Sequence, residues 1–147
     1  MPSGFQAIFN AQLKQVDGQV MMTLTKEQDN LYSYEIITRH SGFWRIIIDG
    51  SIREKSTFIL NNGVVQSKTY ELTDTIRSKP RQSLATFDWD NLLLSGYYKD
   101  RKFELPLNID VIDRAVLQIA IIANSHQDIN SAEYYILDKD KIQKVQV

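Results

Sequence analysis

The side chains of this chain best suited to chemistry are few and scattered. Asp88, Asp90 and Asn91 crowd oxygen donors into one short segment. Ca²⁺ prefers such hard ligands, yet the bidentate glutamate of a complete binding loop does not follow at its spacing. Asp and Asn are also ordinary turn residues, and a solvated hairpin turn is the reading the segment favours. His40 and His126 are the only imidazoles, which leaves no multi-histidine metal site within one chain. A hydrolase would need a base such as His40 beside a nucleophile and an orienting carboxylate, and no Gly-x-Ser-x-Gly elbow is present. Cysteine is absent, which excludes thiolate catalysis, disulfides and Cys-ligated zinc or iron–sulfur centres. An enzyme built on Asp88, Asp90 or His40 would require them to converge in one cleft with perturbed ionisation. That is the least favoured reading, and the residues imply no cofactor and no metal.

The charged and aromatic residues point toward binding. Arg53, Glu54 and Lys55 fall on a predicted strand, so successive side chains alternate between faces and form no single patch; an exposed face is expected. Arg77, Lys79 and Arg81 surround Pro80 and could touch phosphate or lipid headgroups. The whole chain, with 17 basic and 18 acidic residues, has a net charge of −1. It therefore carries no sequence-wide attraction to nucleic acid or anionic lipid, and a solvated loop is expected. Tyr32, Tyr34, Phe43, Trp44, Phe58, Tyr70, Trp89, Tyr97 and Tyr98 lie on predicted strands or their ends. There they could line a concavity that meets an apolar ligand, or simply pack a sheet against a helix.

The elements that must position these residues are mostly strands. With 147 residues, 43% apolar and 24% charged, the chain can bury a real core and is read as one β-rich domain over 1–147. Phe5 to Leu13 alternates apolar and polar residues, Val16-Asp17-Gly18-Gln19 reads as a turn, and Val20 to Lys26 returns. Further strands are expected at Leu31 to Arg39, Ser51 to Leu60, Val64 to Leu72, Ser83 to Trp89 and Leu92 to Lys99. Phe43 to Ile48 fits a short helix or a strand equally well. The spacing predicts one helix over Ile112 to Asn124, with Asp110 as its N-cap and Asp113 as an acid in its first turn. Apolar residues cover most of its circumference, so wrapping on several sides is expected. The longest apolar stretch, Val111 to Ala123, is far short of the ~20 residues of a membrane helix. A last hairpin is expected around Asp138-Lys139-Asp140, joining Glu133 to Leu137 with Lys141 to Val147. The N-terminal residues lack the basic and apolar runs of a secretion signal, which fits either a cytoplasmic protein or one whose leader has been removed.

Ile52-Arg53-Glu54-Lys55-Ser56-Thr57-Phe58 with Asn62-Gly63, then Phe87-Asp88-Trp89, Leu105-Pro106-Leu107 and Asp113-Arg114-Ala115-Val116-Leu117-Gln118, occur in a distinctive order. In these pieces, over nearly its whole length, the chain resembles the bacterial cell-envelope domain-of-unknown-function family number 3108. The resemblance implies an exported, periplasmic protein and an open antiparallel β-barrel enclosing a helix. It supplies no catalytic residues. Family members carry a leader and continue past the position of Val147 into another hairpin, so the resemblance implies truncation at the C-terminus and an open sheet edge.

Together these readings give a mainly β fold: a strongly curved antiparallel sheet or open, clam-like β-barrel enclosing one apolar α-helix. The expected function is non-enzymatic, a hydrophobic binding or chaperone-like site for a lipid, lipoprotein or apolar peptide. Its expected lining is Tyr32, Tyr34, Trp44, Phe58, Trp89, Val116, Ile119, Ala120 and Ala123. The alternative is a scaffolding module that binds an envelope protein, or a second copy of itself, by strand addition. Nucleic acid is not an expected partner.

Overall fold

The computed structural model describes residues 4–13, 16–125 and 132–147. Eight strands run in chain order: β1 (Gly4–Leu13), β2 (Val16–Gln28), β3 (Leu31–His40), β4 (Ser51–Asn61), β5 (Val64–Asp74), β6 (Arg81–Asp88), β7 (Leu93–Tyr98) and β8 (Arg101–Pro106). Each pairs antiparallel with its sequence neighbour to make one meander, and among the described residues β1 and β8 are its two edges and no barrel closes. Left-handed residues make the turns. Asn62 (φ 50°) and Gly63 (φ 80°) join β4 to β5, and Asp29 and Lys99 take positive φ in the β2–β3 and β7–β8 turns.

One face of this sheet is the core face. On β5 it carries Val65, Ser67, Tyr70, Leu72 and Asp74, all buried. Ser67 and Tyr70 differ in parity, yet both point inward. Phe58 pairs with Ser67 while Thr57 pairs with Thr69, so Lys68 is an extra residue that resets the alternation.

A second layer covers that face. β9 (Val111–Asp113) lies parallel to β10 (Glu133–Asp138), which pairs antiparallel with β11 (Lys141–Gln146) around Lys139 at φ 62°. Between β9 and β10 stands the helix α2 (Leu117–Asn124). Val111, Ile112, Ala115, Val116, Ile119, Ala120 and Leu137 form one core with Leu24, Tyr34, Phe58, Tyr70, Phe87 and Leu94.

The main departures from the sequence expectations lie in this layer. The helix begins five residues later than expected, because Val111–Asp113 is taken up as a strand by β10. Asp110 is exposed ahead of β9 and caps nothing described. Nor is α2 wrapped all round: Ile119 and Ala120 are buried, whereas Ile122 is 53% exposed. A helix of eight residues packs one face on a sheet, and apolar composition on the far side does not by itself draw in a cover. Residues 43–48 contain a four-residue helix, α1 (Trp44–Ile47). Val16 to Gln19 is already strand, with Gly18 opposite Ala11, so no turn forms there. β8 was not expected; it is short, charged and at an edge, where Lys and Arg are ordinary protection against stray pairing.

Gly96 shows how tightly β6 and β7 approach. A Cβ built there would lie 1.9 Å from the backbone oxygen of Leu84, while one at Gly18 would meet nothing nearer than 3.7 Å. Gly96→Ala is therefore expected to cost about 2–3 kcal/mol and to lower Tm by roughly 5–10 °C. Gly18→Ala should change Tm little, and a thermal melt of both variants checks the contrast.

Candidate binding cleft and the buried Asp113 beside it

β9 packs against β5 and brings Asp113 to the sheet beside two buried serines on neighbouring strands, Ser56 on β4 and Ser67 on β5, which stand diagonally across the ladder. Asp113 is fully buried. Its Oδ2 accepts from Ser56 Oγ at 2.5 Å and from Ser67 Oγ at 2.8 Å. Its Oδ1 accepts from the backbone N–H groups of Ala115 (3.0 Å) and Val116 (3.2 Å). Ser67 Oγ in turn accepts the Asp113 N–H at 2.9 Å, and the indole of Trp89 donates to the Ser67 carbonyl at 2.7 Å. Burial pushes the Asp113 carboxyl up to about 6, against the four hydrogen bonds that favour its ionised form. This carboxylate fixes the turn that leads into α2.

The next residue points outward to a second polar group. Arg114 Nε lies 3.2 Å from Glu54 Oε1, and the Tyr70 hydroxyl donates to the same oxygen at 3.2 Å. Burial first, and then the charge of Glu54, push Tyr70 far above the ordinary tyrosine range, so it stays a donor. Tyr34 donates to Gln118 Oε1 at 3.2 Å and ties β3 to α2.

Beside these groups the second layer stops short of covering the sheet. A cleft of about 300 Å³ opens there, lined on the sheet side by Met22, Ile36, Thr38, Ile52 and Glu54, and on the other by Arg114, Ala115 and Gln118. Its volume is at the lower end for small-molecule sites, and its walls combine apolar side chains with one ion pair, as such sites commonly do.

None of the nine expected lining residues lines this cleft. Tyr32, Tyr34, Phe58, Val116, Ile119 and Ala120 are buried together in the core, with Tyr32 stacked on Phe58 at 5.7 Å. Trp89 stacks on Phe87 and holds Ser67, Ala123 is half-buried on α2, and Trp44 lies on α1 against Phe43. The cleft is lined by a different set. Of the charged run, Arg53 is exposed and pairs with Glu35 at 2.8 Å, but Glu54 is buried, a correction to the expected exposed face. The alternation of faces is as expected. Arg77 and Arg81 both reach the buried Asp74 at 3.3 Å, so that loop is anchored by its cations and not merely solvated.

Asp88 accepts two hydrogen bonds from Asn91, at 3.0 and 2.8 Å, and these hold its carboxyl below the ordinary range. It ends β6, whereas His40 ends β3 at the opposite end of the sheet, so the two do not converge. His126 lies outside the described residues.

Sequence reasoning missed Asp113 as a buried group, Glu54–Arg114 as an ion pair, and Met22, Ile36 and Ile52 as a surface. One signal was present: Ser56 and Ser67 occupy inward strand positions, and a polar residue in a core position implies a polar partner. No family model, curated protein or solved structure matches this chain.

Proposed function

We propose that this protein binds a small apolar or amphipathic molecule, such as a lipid chain or an apolar peptide segment, without chemical transformation of it. The observation that carries the reading is the open cleft in which half-buried Met22, Ile36 and Ile52 stand next to the Glu54–Arg114 pair. The wall would take the apolar part, and the half-exposed Arg114 guanidinium would meet a carboxylate or phosphate at the rim. The reading includes a sheet that bends around α2 as an open, clam-like half-barrel. Core residues come from every strand between β2 and β7, a breadth of about 24 Å at strand spacing. An eight-residue helix is only about 12 Å long. Curvature would let so small a second layer seal so wide a face. The reading also includes the periplasmic setting, which rests on the family resemblance alone.

The test is titration with a fluorescent fatty acid. Wild type is expected to bind at micromolar concentration. Ile52→Trp, which fills the cleft from its wall, should weaken binding by about tenfold or more, the equivalent of ~1.4 kcal/mol, while melting as wild type does. No binding by wild type, or equal binding by the variant, would overturn the reading.

A second reading, partner binding by strand addition, is favoured by β1. This edge strand of ten residues carries no charge and exposes Phe5, Ile8 (56%) and Phe9. Protected edges usually carry Lys, Pro or a bulge. Native mass spectrometry would separate the readings by the mass retained, that of a lipid or that of a protein.

A further inference from the structure

We propose that the end of the sheet formed by the β3–β4, β5–β6 and β7–β8 connections docks on an anionic lipid bilayer. Phe43, Ile46 and Ile47 would enter the acyl region, and Arg45, Lys79 and Lys99 would meet phosphates. The proposal does not rest on the cleft, although Thr38 and Ile52 of its wall lie within two residues of the strand ends that carry α1.

In an antiparallel meander every second connection falls at the same end. Here the connections are also tied to one another. The Thr75 N–H donates to the Ser51 carbonyl at 2.9 Å, the Ser51 N–H to Thr75 Oγ1 at 3.0 Å, and the Lys99 N–H to the Gln82 carbonyl at 3.0 Å. Gly50, at φ 100°, approaches so closely that a Cβ would lie 2.5 Å from the Thr75 carbonyl oxygen. The three connections therefore present one surface.

On that surface α1 buries none of its residues. Phe43 is 68% exposed and Ile46 83%, with Ile47 beside them. Single exposed apolar side chains are ordinary, but three large ones within five residues mark an interaction site. They lie within a ten-residue connection and line none of the clefts described, and an exposed apolar cluster of this kind can enter a fluid acyl layer without a preformed partner surface.

The charge pattern selects the lipid. Arg39, Arg45, Arg77, Lys79, Arg81 and Lys99 lie at this end against Asp17, Asp49, Asp74 and Asp100. The opposite end carries Glu27, Asp29, Asp88 and Asp90 against Lys26. A net charge of −1 thus conceals a separation along the strand axis that would turn the apolar tip toward an anionic surface. Close by, an open cleft of about 820 Å³ is lined by Arg77, Lys79, Arg81, Gln82, Tyr97 and Lys99, among others, with Asp100 its only acid. It can hold headgroup phosphates.

The experiment is co-sedimentation at low salt with phosphatidylcholine vesicles, with and without about one-third phosphatidylserine. Wild type should bind the phosphatidylserine vesicles and lose binding as salt is raised. Phe43→Ser combined with Ile46→Ser should weaken that binding by about tenfold or more. Lys79→Gln combined with Lys99→Asn should weaken it by about tenfold on phosphatidylserine vesicles alone. All four side chains are exposed, so both double variants should melt as wild type does. Absence of binding to either vesicle, or unchanged binding by the Phe43/Ile46 variant, would overturn the proposal. So would a wild-type dimer that ignores vesicles and dissociates in that variant, since the tip would then cover a second copy of the chain.

Discussion

An aspartate in place of Ile119 is expected to leave the chain without a cooperative melting transition. Ile119 is 1% exposed and faces the sheet from α2. An uncompensated buried charge costs about 3–5 kcal/mol, and the lost aliphatic burial adds about 1.5–3. That sum is comparable with the entire stability of an ordinary domain, about 5–15 kcal/mol. No neighbour can relieve it by pairing: the buried charged side chains described are Glu54, Asp74 and Asp113, all acidic. Three residues along the same helix, Ile122 is largely exposed, and Ile122→Asp should cost about 1 kcal/mol or less, mainly from a carboxylate in the last turn. Near-ultraviolet circular dichroism and thermal melts of the two variants check this. Near-native melting of Ile119→Asp would mean that α2 does not pack on the sheet at all.

The contrast between two isoleucines three residues apart also shows what the sequence makes legible. Strands could be read wherever alternation and turn chemistry agreed, as in β3, in the β4–β5 hairpin around Asn62-Gly63 and in the β10–β11 hairpin around Lys139. Each of these is specified within about twenty residues. β9 is not: Val111, Ile112 and Asp113 are strand because β10 lies alongside, and its partners Tyr135 to Leu137 stand more than twenty residues away. Tertiary pairing overrides local pattern in such cases. Asp17-Gly18 misled for the converse reason, since a strong turn dipeptide was absorbed into β2 between β1 and β3.

The candidate site was harder to read than the fold. Aromatic residues at strand positions were a fair guide to what is buried, and Tyr32, Tyr34 and Phe58 are core. What distinguishes a cleft is where covering atoms stop, and that depends on the short length of α2, which starts only after β9 and its turn. Glu54 and Arg114 meet across sixty residues of chain, a separation over which no local pattern carries information. The Asp113 group left a trace only in its serines.

Removing that aspartate should have the second-largest effect on stability. In Asp113→Ala the hydroxyls of Ser56 and Ser67 and the amides of Ala115 and Val116 lose their common acceptor in a site without solvent access. At about 1–3 kcal/mol for each donor left unsatisfied, moderated by hydroxyl rotation, the expected cost is about 3–5 kcal/mol by urea denaturation. Asp113→Asn should be milder, because Oδ1 can still accept the two amides while Nδ2 turns to the serine oxygens. The pair also isolates the ionisation. The carboxyl titrates near 3.8 when unfolded and is raised to about 6 when folded, so between those values the folded state binds more protons than the unfolded one. Stability from this group is then fully present below about pH 4 and is lost as pH rises through about 6. Relative to Asp113→Asn, which cannot titrate, wild type should lose about 2–3 kcal/mol of its unfolding free energy between about pH 4 and pH 7. A difference that stays flat would mean that the four hydrogen bonds cancel the burial. A difference that grows in favour of wild type as pH rises would mean that they outweigh it, with the folded carboxyl titrating below its ordinary value. Two opposing effects meet at this one carboxylate, and the slope measures which is larger.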